Sequence, residues 1–176
     1  MNEVQLLGVN SVIDMCCGTG NQIKYLKNIN ITKLIGIDIS ENMLARASKN
    51  GVSEFCQNKD ATNTEFPENS YELALLSFVL HETSLTQAKK IIDEAIRIVE
   101  EYGKIIIVDY VFDKESKLLG KWLSIITEWL IGGEHYKNFT KYINQNLLKE
   151  YTQNLKLLKE YKYIFNSVRI QVYSKY

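Results

Sequence analysis

The sequence predicts an α/β fold built on a doubly wound sheet that is mostly parallel. Short apolar runs typical of strands alternate with longer segments that have a helical period. The runs at 72–78 and 105–111 are almost continuously apolar, as expected for strands buried on both faces. Because parallel strands need a crossover between them, this alternation predicts parallel pairing. Only a turn separates the last two apolar runs, which predicts an antiparallel hairpin strand at the carboxyl terminus.

Each element follows from its own local pattern. Ser11–Met15 and Lys33–Asp38 are apolar runs with strand character, and Ser40 is a suitable N-cap for the helix after the second of them. Gly103 and the pair Gly132-Gly133 are interpreted as helix breaks. The other predicted strands are 53–57, 72–78, 105–111, 155–165 and 168–173, and the predicted helices are 21–27, 41–49, 85–100, 115–131 and 143–152.

The composition favours one globular domain over residues 1–176. Apolar residues make up 45% of the chain and charged residues 24%, which supports a packed core. Lys plus Arg and Asp plus Glu both number 21, and this zero net charge argues against nucleic acid as a partner. The three cysteines lack metal-ligand spacing, so no metal site is predicted. Without a leader-like start at Met1 or an apolar run long enough to span a membrane, we expect a cytoplasmic protein.

A glycine-containing turn between the first strand and the first helix is the strongest functional signal. The segment from Asp14 to Gly20 reads DMCCGTG, and its glycines allow the backbone to pass close to a ligand at a helix N-terminus. Asp38 lies twenty residues after Gly18, at the end of the second strand, where a carboxylate can accept hydrogen bonds from both hydroxyls of a ribose. The pattern predicts a Rossmann-like nucleoside site, and by itself it fits NAD as well.

Together with the blocks that follow, this segment resembles class I S-adenosylmethionine-dependent methyltransferases, in particular the type 11 and ubiquinone/menaquinone-biosynthesis branch. The similarity continues through 36–44 (GIDISENML), Asp60-Ala61 and 66–72 (FPENSYE), and it covers residues 12–111. The resemblance implies S-adenosyl-L-methionine as the cofactor and S-adenosyl-L-homocysteine as the product. Cys16 departs from the family's usual third glycine, although quinone-type members have a cysteine there, and Glu72 replaces the usual aspartate.

The resemblance also implies a set of cofactor-binding residues. Gly18 and Gly20, with Cys16 beside them, would admit the methionine part of the cofactor, and Asp14 would orient its amino group through water. Asp38 would hold the ribose diol. The other implied contacts are Ile39 and Met43 on the adenine ring, Asp60 and the Ala61 N–H at its polar edge, and the Ser77 carbonyl at the amino group.

The chemistry of methyl transfer does not require an obvious catalytic triad. An in-line displacement at a sulfonium needs alignment, and it needs a general base only if the acceptor must lose a proton. The catalytic candidates are His81, which follows the fourth strand, and His135 and Tyr136, which follow Gly132-Gly133 in a string that resembles a segment facing the acceptor in small type 11 methyltransferases. The alternative interpretations are a helix-entry residue or a wall on the cofactor side for His81, and loop packing for His135 and Tyr136.

Three functional hypotheses follow for the whole chain. The first is methyl transfer to a small-molecule acceptor, with a lipophilic one suggested by the apolar segment 118–131, although Trp122 and Trp129 in it are interpreted as core residues. The second is a methyltransferase-like binding module without turnover, since only a short segment precedes the first strand, where relatives have a longer helical cap. A homodimer in which the partner supplies a lid would also fit that observation. The third, an NAD(P)-dependent oxidoreductase, is disfavoured because positions 16 and 23 are Cys and Ile rather than glycines.

Overall fold

The computed structural model describes residues 2–145 and 147–175. Strands and helices alternate along most of this chain. The strands are β1 (Ser11–Met15), β2 (Lys33–Asp38), β3 (Cys56–Asn58), β4 (Tyr71–Ser77), β5 (Val99–Tyr110), β6 (Lys156–Tyr163) and β7 (Val168–Ser174). The helices are α1 (Asn2–Leu7), α2 (Asn21–Leu26), α3 (Glu41–Lys49), α4 (Leu85–Ile98), α5 (Leu118–Ile131), α6 (Gly133–Gln145) and α7 (Leu147–Tyr151).

Within these residues the strands form one sheet in the order β3-β2-β1-β4-β5-β7-β6. β1 lies inside the parallel part, where Ile13 pairs with Ile35 of β2 and with Ala74 of β4. The pairs among the first five strands are all parallel. β7 then returns antiparallel to β5, with Val172 opposite Ile106, and β6 pairs antiparallel with β7. The predicted α/β fold, a mostly parallel sheet ending in an antiparallel hairpin, is confirmed.

Helices cover both faces of the sheet. On one face, Ile92 of α4 packs in a buried cluster with Leu76, together with residues of α6 and α7. On the other face, Ile23 of α2 packs in a second cluster with Leu75, together with residues of α1 and α3. Leu75 and Leu76 belong to different clusters because neighbouring residues of a strand face opposite sides of the sheet. A strand buried on both faces therefore needs the continuous apolar run that the sequence contains.

The interpretation of Gly103 as a helix break is wrong. Helix α4 passes directly into β5 at Val99, so Gly103 lies inside a strand. A Cβ at Gly103 would come within 2.4 Å of Val99 Cγ1 and 2.9 Å of the Glu72 carbonyl oxygen. The register between β4 and β5 shifts at the same place, between Tyr71 and Leu73. The glycine is needed for close packing at this irregularity of the sheet.

Helix α6 begins at Gly133, well before residue 143, where the sequence analysis placed the start of the next helix. Gly132 and Gly133 have φ values of 71° and 62°, so the pair turns the chain between α5 and α6 without a long loop. The predicted break between two helices is confirmed, but residues 133–142, for which the sequence predicts no helix, form most of α6. His135 and Tyr136 therefore stand on the first turn of a helix.

Helix α5 exposes most of its apolar side chains. Trp122 is 67% exposed and Trp129 is 63% exposed, so the interpretation of both as core residues is wrong. The buried side of α5 instead carries Gly120, Ser124 and Glu128. Across residues 2–145 and 147–175, no helix is both long and apolar enough to cross a membrane.

β6 forms one edge of the sheet, and all of its residues are exposed. Lysines recur along it at Lys156, Lys159 and Lys162. Two of its polar side chains hold helix α1, since the Lys159 ammonium and the Tyr161 hydroxyl donate to the Glu3 carboxylate at 2.7 and 2.6 Å. These bonds lower the pKa of Glu3. The amino-terminal helix is thus attached to the carboxyl-terminal hairpin through polar contacts.

Gly20 provides a stability test, because it has a φ of 69° and a Cβ there would lie 2.5 Å from Val52 Cγ2. We expect Gly20→Ala to lower the free energy of unfolding by about 2–4 kcal/mol, the sum of left-handed strain and overpacking. Gly51→Ala is the matched control, since Gly51 has a φ of 71° and open space around the Cβ position. It should lose only the strain part, about 1 kcal/mol. Equal losses in urea unfolding would contradict the packing argument.

Candidate functional site

The turn between β1 and α2 lies at the carboxyl edge of the sheet, where open α/β sheets bind ligands. Alternate residues of the turn have left-handed backbone conformations: Cys16 with φ 63°, Gly18 with φ 56° and Gly20 with φ 69°. The Cys17 N–H donates to the Ile37 carbonyl at 2.8 Å and fastens the turn to β2. A left-handed cysteine costs about 1–2 kcal/mol relative to glycine, so the surrounding structure must hold this path.

Asp38 connects the turn to the next element. Its Oδ2 accepts from the Gly18 N–H and its Oδ1 from the Ser40 N–H, both at 2.8 Å. The carboxylate is half-buried. Because each carboxylate oxygen has two acceptor positions, Asp38 can accept further hydrogen bonds from a ligand at this edge.

Asp14 is the most unusual polar group of the site. It is 2% exposed, and its Oδ2 has no hydrogen-bond partner. Burial, together with the nearby Asp38 charge, raises the pKa of Asp14 from 3.8 to about 8. A buried carboxyl group with an unused oxygen is costly unless something satisfies it. This arrangement is suited to a cationic hydrogen-bond donor.

The two glycines of the turn differ in their surroundings. A Cβ at Gly18 would have no heavy atom within 4 Å, so the space beside Gly18 is open. A Cβ at Gly20 would meet Val52, as described above, and Ala47 at 3.2 Å. Gly18 therefore borders the open side of the turn, whereas Gly20 packs against α3 and the segment after it.

Two apolar side chains lie exposed directly after β2 and on α3. Ile39 is 68% exposed and Met43 is 39% exposed. The Asn58 amide donates to the carbonyl oxygens of Asp38 and Ile39 at 3.1 and 3.0 Å, and so fixes the backbone between them. Sequence reasoning missed Asn58, and its position at the end of β3 was the only signal for it.

Asp60 and Ala61 follow β3 at the same edge of the sheet. The Asp60 side chain is exposed and accepts from the Thr62 N–H at 2.8 Å, whereas Ala61 is buried. The Lys59 N–H donates to the Asp38 carbonyl at 3.2 Å. This bond holds the segment with Asp60 next to the end of β2.

Ser77 ends β4, and its hydroxyl donates to the Gln22 side chain of α2 at 3.1 Å. Phe78 follows with a left-handed φ of 55° and is 41% exposed. Its N–H donates to the Val108 carbonyl at 2.8 Å, so the strained residue is held against β5. Sequence reasoning missed Phe78, although an aromatic residue directly after a buried strand was a usable signal.

His81 lies in a buried cluster of acidic side chains. It is 1% exposed, and its Nδ1 lies 2.5 Å from an oxygen of Asp109, which is buried as well. Its Nε2 lies 3.6 Å from the buried Glu128 of α5 and 4.0 Å from Glu82. Burial opposes protonation, but the three carboxylates outweigh it and raise the pKa of His81 above 6.5. His81 therefore joins β4, β5 and α5 and does not present its ring to solvent.

Aromatic side chains surround His81. The ring centroids of Tyr110 and Phe139 lie 4.8 and 6.1 Å from the imidazole. Phe78 packs on Tyr110 at 5.8 Å, and Tyr136 stacks on Phe139 at 6.4 Å. The structure thus brings Tyr136 and Phe139 of α6 against the ends of β4 and β5.

His135 has a different environment from His81. Its side chain is exposed on the first turn of α6. The Asn138 amide donates to the Glu82 carbonyl at 2.9 Å and holds α6 there. Of the three catalytic candidates, His135 and the half-buried Tyr136 are accessible, and His81 is not.

The cysteines of the turn are poor nucleophiles. Burial, with nearby acidic groups, raises the pKa of Cys16 to about 12 and raises that of Cys17 further. A protonated thiol is unreactive, so these cysteines act as small side chains in a tight turn. In the part of the chain that the structure describes, no group of three or more His, Cys, Asp or Glu side chains is arranged to hold a metal ion.

Comparisons with known proteins identify relatives of this chain. The family described as "Methyltransferase domain", type 11, matches residues 13–107. An uncharacterized methyltransferase from Synechocystis is 32% identical over 98 residues, which is 56% of this chain and 46% of that protein. The demethylmenaquinone methyltransferase of Desulfitobacterium hafniense is 30% identical over 109 residues, covering 56% of this chain and 42% of the relative. The chain thus spans less than half the length of these two curated relatives.

A third relative and two solved structures complete the comparison. The tRNA (carboxymethyluridine(34)-5-O)-methyltransferase of Arabidopsis thaliana is 30% identical over 125 residues, 68% of this chain and 30% of that protein. The PH0226 protein of Pyrococcus horikoshii has a TM-score of 0.71 at 15% identity, over 93% of this chain and 81% of the other. The N-methyltransferase NodS of Bradyrhizobium japonicum, solved with S-adenosyl-L-homocysteine, has a TM-score of 0.65 at 14% identity, over 98% and 85% of the two chains. The structural likeness establishes the shared fold. With the family match over more than half of its residues, the chain belongs to the S-adenosylmethionine-dependent methyltransferases.

Proposed function

We propose that the chain binds S-adenosyl-L-methionine at the carboxyl edge of β1, β2 and β3 and directs its methyl group to a small, lipophilic or aromatic acceptor. The product of the cofactor would be S-adenosyl-L-homocysteine. The observation that carries the proposal is the unpartnered oxygen of the buried Asp14, on the strand that leads into a glycine turn with open space beside Gly18. A cofactor with a cationic amino acid end satisfies that oxygen, and few other nucleosides have such a group.

The residues of the turn and of β2 would hold the cofactor by its two ends. Asp38 retains acceptor positions for the ribose hydroxyls after binding Gly18 and Ser40. The open side of Gly18 admits the methionine part, past Cys16. The adenine contacts would come from Ile39, Met43, Asp60 and the Ala61 N–H, and the Ser77 carbonyl would contact the amino group.

Asp14 would become negatively charged when the cofactor binds and would then pair with its ammonium group. With a pKa of about 8 it is mostly protonated at neutral pH. An approaching ammonium group favours the carboxylate, so the Asp14 proton would leave to solvent. The resulting charge pair is buried and hydrogen-bonded, which fixes the direction of the cofactor's methionine end.

The cofactor supplies a methyl group on a positively charged sulfur, and in-line displacement by the acceptor is the expected reaction. The work of this chain's residues is alignment and exclusion of water. Phe78 projects from the end of β4 beside Ser77, with Tyr110 packed on it. The half-buried Tyr136 of α6 extends this aromatic surface and stacks on the buried Phe139 behind it.

This surface supports a flat or lipophilic acceptor more than a nucleic acid. Aromatic rings bury apolar surface well, whereas a nucleic-acid site needs clustered cationic side chains. The chain has zero net charge. Two relatives are named demethylmenaquinone methyltransferase, and the acceptor in that name, a menaquinone precursor, is lipophilic.

The three catalytic candidates take different roles in this proposal. Tyr136 and His135 are accessible, and they would hydrogen-bond to the acceptor, or accept its proton where the acceptor must lose one. His81 is a positioning residue, because its imidazole is enclosed and bonded to Asp109. Through Asp109, Glu82 and Glu128 it fixes the ends of β4 and β5 relative to α5.

Calorimetric titration tests cofactor binding directly. We expect binding of S-adenosyl-L-methionine and S-adenosyl-L-homocysteine, with NAD much weaker. Asp38→Ala should weaken it about 100-fold, because it removes the charge-assisted bonds to the ribose and the bonds that preform the turn. Gly18→Ala should abolish it, because the new methyl group lies where the cofactor enters, while Gly51→Ala should bind like the wild type. Equal affinity for NAD, or normal binding by Gly18→Ala, would refute the proposed site.

Proton release tests the role of Asp14. At pH 7, cofactor binding should release close to one proton, since the bound ammonium moves the Asp14 pKa from about 8 towards its ordinary value. Titration in buffers of different ionisation enthalpy measures this number. Asp14→Asn should release none and bind more weakly.

A stability measurement confirms that the Asp14→Asn variant folds. Because the raised pKa means that the folded state holds the proton more tightly than the unfolded state, wild-type stability should fall as pH rises from 3.8 towards 8. Asp14→Asn has no carboxyl group at this position, so its stability does not fall in this way as pH rises. At pH 7 the variant should therefore unfold at a higher urea concentration than the wild type. A variant that is less stable than the wild type at that pH would contradict the buried, unpartnered carboxyl group.

The two histidines can be followed separately by NMR, since the chain has only two. We expect His81 to titrate above 6.5, and Glu128→Gln to lower its pKa because one of the facing carboxylates is removed. The stabilisation from the His81 charge is complete below pH 6.5 and disappears as pH rises through the folded-state pKa. His135→Asn identifies the remaining signal as His81. A His81 pKa below 6.5 would contradict the network.

A further inference from the structure

Helix α5 is oriented with its small and polar side chains towards the rest of the chain. A Cβ at Gly120 would lie 2.4 Å from the Ile164 carbonyl oxygen, so the helix lies tight against the turn between β6 and β7. The Ser124 hydroxyl lies 3.2 Å from that of Ser167 in the same turn. Glu128 faces His81. The contacts that position α5 are therefore mostly backbone and polar contacts.

The opposite side of α5 consists of large apolar side chains. They form two stripes with alternating spacings of four and three residues, the spacing with which one helix packs against another. We call this surface the α5 outer face. Its members and exposed fractions are Leu118 81%, Leu119 55%, Trp122 67%, Leu123 43%, Ile125 38%, Ile126 37%, Trp129 63% and Leu130 71%.

The area of the α5 outer face is as large as a protein interface. A fully exposed side chain of these types has an area of about 180–250 Å². Multiplied by the eight exposed fractions, this gives an exposed apolar area of roughly 900 Å². The largest apolar patch on a typical monomer is about 300–600 Å². A standard stable interface buries about 800 Å² on each partner. The α5 outer face is therefore large enough to form a complete interface.

We propose that a second copy of this chain covers the α5 outer face, so that two α5 helices pack against each other about a two-fold axis. None of the eight side chains is charged, so the face meets a copy of itself without repulsion or unpaired charge. The zero net charge of the chain favours self-association in the same way. A two-fold pair also keeps Glu128 buried against His81 in both chains, because it uses only the opposite side of α5.

A lipid surface fits α5 less well. Helices that lie in a membrane interface combine an apolar face with a polar face rich in lysine and arginine. The other face of α5 has Gly120, Ser124 and Glu128, and it is turned towards protein. The nearby Lys121 is tied to the Asp113 carbonyl at 2.9 Å.

Sedimentation of the full chain tests the proposal. The wild type should sediment at micromolar concentration with a mass near twice the 20.4 kDa of one chain. The double variant Leu118→Glu/Leu130→Glu should dissociate about 100-fold more readily, because it buries charge in an apolar interface. Both positions are highly exposed in one chain, so folding should be unaffected. Tyr102→Glu, at a 75% exposed residue on β5 outside the α5 outer face, is the matched control and should remain a dimer.

Fluorescence reports on the same surface, because Trp122 and Trp129 are the only tryptophans of the chain. Dilution of the wild type should move their emission to longer wavelength as the dimer dissociates, and the double variant should show the long-wavelength emission at all concentrations. A wild-type monomer, or a dimer that survives the double substitution, would overturn the proposal. So would a monomer whose emission moves to shorter wavelength only with phosphatidylcholine/phosphatidylglycerol vesicles, which would assign the surface to lipid.

Discussion

Two backbone N–H groups donate to the Asp38 carboxylate, and these bonds connect three parts of the fold. One comes from the turn after β1 and the other from the start of α3, while Asp38 itself ends β2. Without this acceptor, the left-handed turn would keep the Cys17 bond to the Ile37 carbonyl but lose the Gly18 bond to β2. The same carboxylate is therefore structural before any ligand is bound, and a ligand at this edge meets a preformed surface.

The cluster around His81 connects elements at the ends of β4 and β5, as Asp38 does at the end of β2. Its energetics differ from those of Asp38. Asp109 and Glu128 are buried carboxylates that share one imidazole, and Glu128 keeps an oxygen without a partner. Buried ion pairs are costly to desolvate and contribute little net stability. Their directional contacts do, however, set where α5 lies over the strand ends. The apolar core stabilises the sheet, and this polar cluster positions one helix relative to it.

Local patterns predicted the parts of the molecule that depend on local physics. The turn at Gly18 and the acid at Asp38 were found because their spacing follows from one strand–helix–strand unit. Gly103 was misread, since a glycine can end a helix or permit close packing, and only the Glu72 carbonyl across the sheet decides between them. For Trp122 the apolar stripe was visible in the sequence, but which side of α5 faces inward depends on His81, a partner distant in sequence.

The exposed edge strand β6 bears on whether the protein aggregates at high concentration. An edge strand presents unpaired backbone donors and acceptors, on which another chain's strand can add and continue into a fibril. β6 has a lysine at 156, 159 and 162, and its Lys159 and Lys162 side chains are paired with acids of the same chain. Two such edges brought together would place like charges side by side and break those internal pairs. Adding a further strand to β6 would therefore cost these internal ion pairs, which disfavours growth along the sheet.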